Sequence, residues 1–249
     1  MRISEGFALV GSLQFGLSGS FDCHVYALRG ESGIVLIDVG AGTHTKQLLR
    51  NVEVDLPGSR VVAALITHAH ADHCGGAASV REETSCAIIA PIMCRRTIER
   101  ADEDASGLRA ARSQGLYSED FEILPCAVDM TVDDGKSFVV AGLEFTAIHI
   151  RGHSRDAHCY LTHIAGKRLL FTGDAVFYGG VLGVINADGS GMEGYRNDVG
   201  KLAELEIDGL FPGHGMFTVS RGQRHLDLAI EQVRRGFLGR QIGQGDTIF

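Results

Sequence analysis

Three histidines and an aspartate lie within six residues of one another, at His68, His70, Asp72 and His73. Imidazole nitrogens and carboxylate oxygens are ligands that suit a borderline divalent cation such as zinc. His68 and His70 are two residues apart, so on an extended loop their side chains can converge on one ion. The alternative is a polar turn with surface histidines, which does not explain this density of ligand-type side chains. The run therefore predicts a metal site.

This cluster must be held by the elements on either side of it. The apolar residues 61–66 precede it and are typical of a buried strand. Residues 76–83 follow it and are predicted to form a helix. Side chains at the ends of strands often carry function in α/β folds. We therefore expect the cluster to lie where a strand gives way to a loop.

The pattern His-x-His-x-Asp-His resembles the signature of the metallo-β-lactamase superfamily. Four further motifs of that family follow the expected order along nearly the whole chain. They are Ile-Asp-Val-Gly at 37–40, Gly-His-Ser at 152–154, Thr-Gly-Asp at 172–174 and Pro-Gly-His-Gly at 212–215. The resemblance implies an α/β fold, the four-layer αββα sandwich of that superfamily.

The resemblance also implies a set of seven metal ligands. It assigns His68, His70 and His153 to one divalent ion, Asp72, His73 and His214 to a second, and Asp174 to both. Zinc is the expected metal, with iron or manganese as alternatives. Two such ions can hold a hydroxide between them, and Asp72 or Asp174 can take a proton during the reaction. Asp38 is expected either to orient a ligand histidine or to make a strand-end Asx turn.

Length and composition suit a single metallo-β-lactamase-like domain over residues 1–249. The formal net charge of −8 argues against nucleic acid and anionic membranes as partners. There is no stretch of about 20 apolar residues for a membrane-spanning helix, and residues 1–6 lack the layout of a signal peptide. We expect a cytoplasmic protein with reduced cysteines. The sequence leaves the oligomeric state open.

Apolar runs and turn residues predict alternating strands and helices. Pro91 is expected to open a helix at its first turn. Asp198 is expected to cap a helix that carries Leu202 and Leu205. Leu226 and Ile230 recur at helical spacing and predict a helix near the end of the chain.

Two segments are expected to set specificity. Residues 91–125 interrupt the core pattern and are predicted to form either a helical lid or an amphipathic helix that covers a sheet. Residues 179–195 are rich in glycine, which suits a mobile pocket wall. Met192, Tyr195 and Arg196 are candidates to line that wall.

The ligand types favour a dinuclear metallohydrolase that acts on a small ester, thioester or lactone. An aspartate at 174, where true metallo-β-lactamases have cysteine or serine, argues against β-lactam hydrolysis and is similar to the glyoxalase II-like and lactonase-like branches. Two alternatives remain. One is a non-haem iron oxidoreductase similar to persulfide dioxygenases, and the other is a phosphodiesterase or nuclease, which would need basic exosites.

Overall fold

The computed structural model describes residues 1–236 of the chain. These residues form two compact units. Unit 1 comprises Met1–Val132 and Val139–Leu143, and unit 2 comprises Asp133–Phe138 and the described residues from Glu144 onward. The single domain predicted over 1–249 includes residues 237–249, which lie outside the described part, and it stays a prediction.

Unit 1 is built on a seven-stranded sheet whose strands follow one another in chain order. The first four strands pair antiparallel and the last three are added parallel to the fourth. The strands are β1 Arg2–Ser4, β2 Phe7–Gly11, β3 Val25–Arg29, β4 Ile34–Ile37, β5 Val61–Leu65, β6 Ala87–Pro91 and β7 Met130–Val132.

Five helices belong to the same unit. They are α1 Thr45–Asp55, α2 Ala71–Cys74, α3 Ala77–Thr84, α4 Arg95–Arg100 and α5 Leu108–Ser113. Leu48 and Val52 are four residues apart on α1, so they share one face of the helix. Both are buried in a core that also contains Leu36 of β4 and Val80 of α3. The apolar stripe of α1 thus holds the helix against the sheet.

Parallel pairing brings the ends of β4 and β5 to the same edge of this sheet. Ile37 lies opposite Leu65 in the register, and the Asp38 N–H donates to the Leu65 carbonyl at 2.8 Å. The residues that follow each strand, Asp38 and Thr67, are therefore neighbours. This edge is where the histidine cluster begins, as the sequence predicts.

Unit 2 contains most of a five-stranded sheet with the strand order β12-β11-β10-β9-β8, of which residues 139–143 belong to unit 1. The strands are β8 Ser137–Val140, β9 Leu143–His149, β10 His158–Ile164, β11 Lys167–Gly173 and β12 Gly209–Pro212. The helices are α6 Met192–Asp198 and α7 Gln223–Arg234, with short 3₁₀ turns at Tyr178–Gly180 and Val199–Leu202. Leu226 and Ile230 of α7 are buried in the core of this unit, which confirms the predicted terminal helix.

The two strands β11 and β12 pair in parallel, and Gly173 lies opposite Pro212. A hydrogen bond of 2.7 Å from the Gly213 N–H to the Gly173 carbonyl continues this pairing past the strand ends. Asp174 and His214 follow directly along the chain. Their side chains therefore leave the sheet at one edge.

One predicted helix start was wrong, and a second was right only in part. Pro91 ends β6, and its carbonyl accepts a hydrogen bond from the Cys94 N–H at 2.9 Å, so the chain turns before α4 begins at Arg95. Asp198 ends α6 and directly precedes the 3₁₀ turn Val199–Leu202, which contains Leu202 but not Leu205, and the Asp198 side chain makes no capping hydrogen bond. Its carboxylate instead accepts hydrogen bonds from the Arg151 guanidinium at 2.6 and 3.1 Å.

Within residues 1–236, none of the helices is both long and apolar enough to cross a lipid bilayer.

The packing of α1 can be tested with two substitutions on that one helix. Leu48 is 1% exposed and Val54 is 76% exposed. We expect Leu48→Ala to lower the free energy of unfolding by about 2–5 kcal/mol, because it leaves a cavity in the core. Val54→Ala should change it by no more than about 0.5 kcal/mol. Urea denaturation of both variants measures the difference, and equal losses would contradict the packing described here.

Candidate metal centre

His68 follows β5 and lies at the centre of a tight polar group in unit 1. The Thr67 hydroxyl donates to Asp38 Oδ2 at 2.8 Å, which leaves its oxygen free to accept a hydrogen bond from His68 Nδ1 at 3.0 Å. This arrangement turns His68 Nε2 toward His70 Nδ1, and the two nitrogens lie 3.0 Å apart. Two imidazole nitrogens at this distance share either a proton or a cation. The predicted convergence of His68 and His70 is thus present in unit 1.

His73 is oriented by Asp38, as one of the two interpretations of Asp38 expects. The buried His73 Nδ1 donates to Asp38 Oδ2 at 2.8 Å, while Asp38 Oδ1 accepts from the Thr67 N–H at 2.7 Å. The other ring nitrogen, His73 Nε2, lies 3.4 Å from Asp72 Oδ2. Because α2 carries both Asp72 and His73, one short helix sets the distance between them.

His153 lies in unit 2, in the loop after β9, and a main-chain carbonyl fixes its ring. His153 Nδ1 donates to the Gly183 carbonyl at 2.6 Å. This bond leaves Nε2 as the nitrogen that can offer a lone pair. His153 Nε2 lies 3.6 Å from Asp174 Oδ2. The ring therefore presents its basic nitrogen toward the predicted bridging carboxylate.

The same carboxylate oxygen also lies beside His214. His214 Nε2 is 3.5 Å from Asp174 Oδ2, and the side chain of Asp174 is only 9% exposed. One oxygen of Asp174 thus lies between two imidazole nitrogens at similar distances. Both distances exceed a hydrogen bond in the ordinary range, and they leave room for a cation beside each ring.

Gly183 must be a glycine for this arrangement to exist. A Cβ at this position would lie 1.8 Å from the Asp174 carbonyl oxygen and 3.0 Å from His153 Nδ1. The first distance is far inside van der Waals contact with main chain that cannot move aside. Gly183 therefore allows its own carbonyl to approach His153 while it passes Asp174.

The donor set of each unit fits a divalent cation. Unit 1 offers the nitrogens of His68, His70 and His73 beside Asp72, and unit 2 offers two imidazole nitrogens around one carboxylate. Zinc, iron and manganese all accept nitrogen and oxygen donors of these types. The distances between donor atoms within each unit, 3.0 to 3.6 Å, are those of atoms that share an ion.

Part of the predicted lid segment 91–125 lies against the histidine cluster of unit 1. A Cβ at Gly107 would lie 3.7 Å from His70 Cδ2. Tyr117 stacks on Phe21, with ring centroids 4.8 Å apart, and burial raises the pKa of its hydroxyl, with the nearby Asp72 carboxylate adding to the effect. The segment contains two helices, α4 and α5, and its role as a lid stays a prediction.

One predicted wall residue is not at a surface. Tyr195 is fully buried, whereas Met192 is half-buried and Arg196 is exposed. The sequence reasoning also missed Thr67 and Gly183, which orient His68 and His153. Gly183 of the segment 179–195 supplies the carbonyl that accepts from His153, and the mobility of the segment stays a prediction.

Both carboxylate oxygens of Asp38 accept hydrogen bonds from buried donors, and a substitution tests the importance of these bonds. Asp38→Asn replaces one acceptor with an NH₂ group that faces an N–H or O–H donor. We expect the free energy of unfolding to fall by about 1–3 kcal/mol, the cost of a buried polar group without its partner. Asp188→Asn, at a side chain that is 89% exposed, is the control. An Asp38→Asn protein as stable as the control would disprove the role given to this carboxylate.

The comparisons with known proteins agree with these motifs. The model of the metallo-β-lactamase superfamily matches residues 19–214. An acyl-coenzyme A thioesterase MBLAC2 from Bos taurus is 26% identical over an alignment of 235 residues that covers 88% of this chain and 81% of that protein. An atrochrysone carboxyl ACP thioesterase from Aspergillus fumigatus is 27% identical over 213 residues, which are 85% of this chain and 56% of that protein.

A solved structure shows the fold. A metallo-β-lactamase of Cronobacter sakazakii with a HARLDQ motif matches with a TM-score of 0.71 at 22% identity, over 95% of this chain and 91% of that one. The expected α/β class and metallo-β-lactamase fold are confirmed. From the family model and the ordered motifs together, we conclude that this chain belongs to the metallo-β-lactamase superfamily.

Proposed function

We propose that this protein is a metal-dependent thioesterase that uses two divalent ions. The observation that carries the proposal is the position of Asp174, whose Oδ2 lies 3.6 Å from His153 Nε2 and 3.5 Å from His214 Nε2. One carboxylate oxygen that lies beside two imidazole nitrogens has lone pairs for an ion on either side, which is the role that a bridging ligand needs. The family of the chain supports this choice, because its divalent metal ions are bound by such motifs.

The proposed ligands are those expected from the sequence. We propose that His68, His70 and His153 bind one ion, that Asp72, His73 and His214 bind the other, and that Asp174 binds both. Zinc suits the mixture of imidazole and carboxylate donors. The six cysteines are all buried free thiols, which suits a cytoplasmic location where thiols stay reduced.

Thioesters are the proposed substrates because both curated relatives described above are named as thioesterases. The substrate is a small molecule, an acyl group joined to the thiol of a carrier. Hydrolysis joins the oxygen of a water molecule to the acyl carbon and breaks the carbon–sulfur bond. The products are a carboxylic acid and a thiol, so no oxidant or reductant is needed.

The residues of the chain would divide this work. Bound divalent ions supply Lewis acidity and lower the pKa of water. The Asp72 side chain is 23% exposed, so it can reach solvent and accept a proton from the attacking water. Asp174 holds its carboxylate between two imidazoles, where it can accept a proton or stay bound as a ligand. Asp38 and Gly183 keep the rings of His73 and His153 in one tautomer throughout.

Replacing Asp174 tests the metal site. Asp174→Ala should lower the metal content below two ions per chain and lower thioester turnover by more than about 100-fold, since even residues that only orient ligands are worth 10–100-fold. Elemental analysis and release of free thiol measure the two effects. Asp188→Ala removes an exposed acid of the same unit and should change neither. A fully active Asp174→Ala protein would refute the two-ion mechanism.

A substrate panel tests the reaction class. We expect the zinc-loaded protein to hydrolyse acyl-coenzyme A thioesters faster than the matched oxygen esters and lactones. Chelation of the metal should abolish the activity, and added Zn²⁺ should restore it. Oxygen uptake with a persulfide in place of thiol release would instead show an oxidoreductase, and cleavage of a phosphodiester would show a nuclease.

A further inference from the structure

One buried tyrosine hydroxyl joins the residue that follows one proposed ligand to the residue that orients another. Tyr195 lies on α6 and is 0% exposed. Its hydroxyl donates to the Ala175 carbonyl at 2.7 Å and accepts a hydrogen bond from the Gly183 N–H at 3.0 Å. Ala175 follows Asp174 directly. Gly183 is the residue whose carbonyl binds His153 Nδ1.

The ring of Tyr195 meets the segment before His153 as well. A Cβ at Gly152 would lie 2.2 Å from the Tyr195 ring, and one at Gly194 would lie 2.7 Å from the Arg151 carbonyl carbon. These two glycines allow α6 to pack directly against residues 151–152. Tyr195 therefore touches the chain on both sides of the bond from His153 to Gly183.

The end of α6 is anchored to the same segment. Asp198 accepts hydrogen bonds from the main-chain N–H of Arg151 at 3.1 Å and from its guanidinium at 2.6 Å. Lys201 adds a second cation 3.1 Å from the Asp198 carboxylate. These contacts hold α6 against residues 151–152, and they thereby fix the position of the Tyr195 hydroxyl.

We propose that Tyr195 is a positioning residue for the metal centre, which sets the distance between His153 and Asp174 by holding Gly183 and Ala175 with one hydroxyl group. The inference rests on the proposed metal binding by these residues. Both hydrogen bonds of the Tyr195 hydroxyl go to main-chain atoms, so it acts through the main chain. Burial raises the pKa of the hydroxyl well above its usual value, so the group stays protonated and keeps its donor for the Ala175 carbonyl.

The Tyr195 hydroxyl is a hydrogen-bond partner of two main-chain groups at once. Without it, the Gly183 N–H and the Ala175 carbonyl would each lose a hydrogen-bond partner inside the protein. The main chain at Gly183 could then shift and move the carbonyl of that residue, which orients His153. A ring that is free to turn offers its Nε2 lone pair to the ion for only part of the time. Metal affinity should therefore fall even though all proposed ligands are present.

The test uses Tyr195→Phe, which removes the hydroxyl and keeps the ring. Co²⁺ is the probe, because its visible absorption reports the geometry of its ligands. We expect Tyr195→Phe to bind Co²⁺ about 10–100-fold more weakly than the unaltered protein in competition with a chelator, and to show an altered visible spectrum. Tyr160→Phe is the matched control, since Tyr160 is equally buried in β10 of the same unit. It should keep both the affinity and the spectrum.

The outcomes separate this inference from the proposed function. If the unaltered protein binds no Co²⁺, the metal site itself is wrong and the inference fails with it. If the unaltered protein binds Co²⁺ and Tyr195→Phe has the same affinity and spectrum, only the role of Tyr195 is wrong, whatever the variant loses in stability. Should Tyr195→Phe fail to fold, 3-fluorotyrosine at position 195 keeps the ring and the hydroxyl but changes its hydrogen bonding. A spectrum identical to that of the unaltered protein would then refute the inference.

Discussion

An imidazole can bind a metal only through the ring nitrogen that carries no proton, so the other nitrogen needs an acceptor that holds the proton there. This constraint organises both units of the protein. His73 gives its proton to the carboxylate of Asp38, and His153 gives its proton to the carbonyl of Gly183. Thr67 accepts from His68 because its own proton is committed to Asp38. Each acceptor fixes the tautomer and the direction of the ring together.

The sheets provide the places where these acceptors and ligands meet. In each unit, two neighbouring parallel strands end at one edge, and the residues that follow them carry the polar groups. β4 and β5 deliver Asp38 and Thr67, while β11 and β12 deliver Asp174 and His214. Parallel strands bring distant parts of the sequence together in this way because their pairing fixes the relative position of their ends. Glycine at position 183 then allows the main chain to pass close to Asp174.

The sequence predicted the parts of the site that depend on local pattern. The spacing of His68 and His70, the strand before them and the resemblance in one earlier and three later motifs all indicated the residues that the two units place at their sheet edges. Contacts between distant loops were not predicted, because no local sequence pattern shows that the Gly183 carbonyl accepts a hydrogen bond from His153. Asp198 was misassigned for a similar reason. Its carboxylate resembles a helix cap in the sequence, but in the fold it binds the guanidinium of Arg151, 47 residues earlier. Tyr195 was expected in a pocket wall, but its burial depends on Gly152 and Gly194, which let α6 pack closely against residues 151–152.

The side-chain acceptor of His73 and the main-chain acceptor of His153 differ in how a mutation can alter them. The partner of His73 is a side chain, so a single codon change at Asp38 deletes it. The partner of His153 is an oxygen of the main chain, which every amino acid possesses. A mutation cannot remove that oxygen. It can displace the peptide, for example by placing a larger residue where Gly183 stands. The orientation of His73 therefore depends on the identity of residue 38, whereas that of His153 depends on the path of the backbone at residue 183.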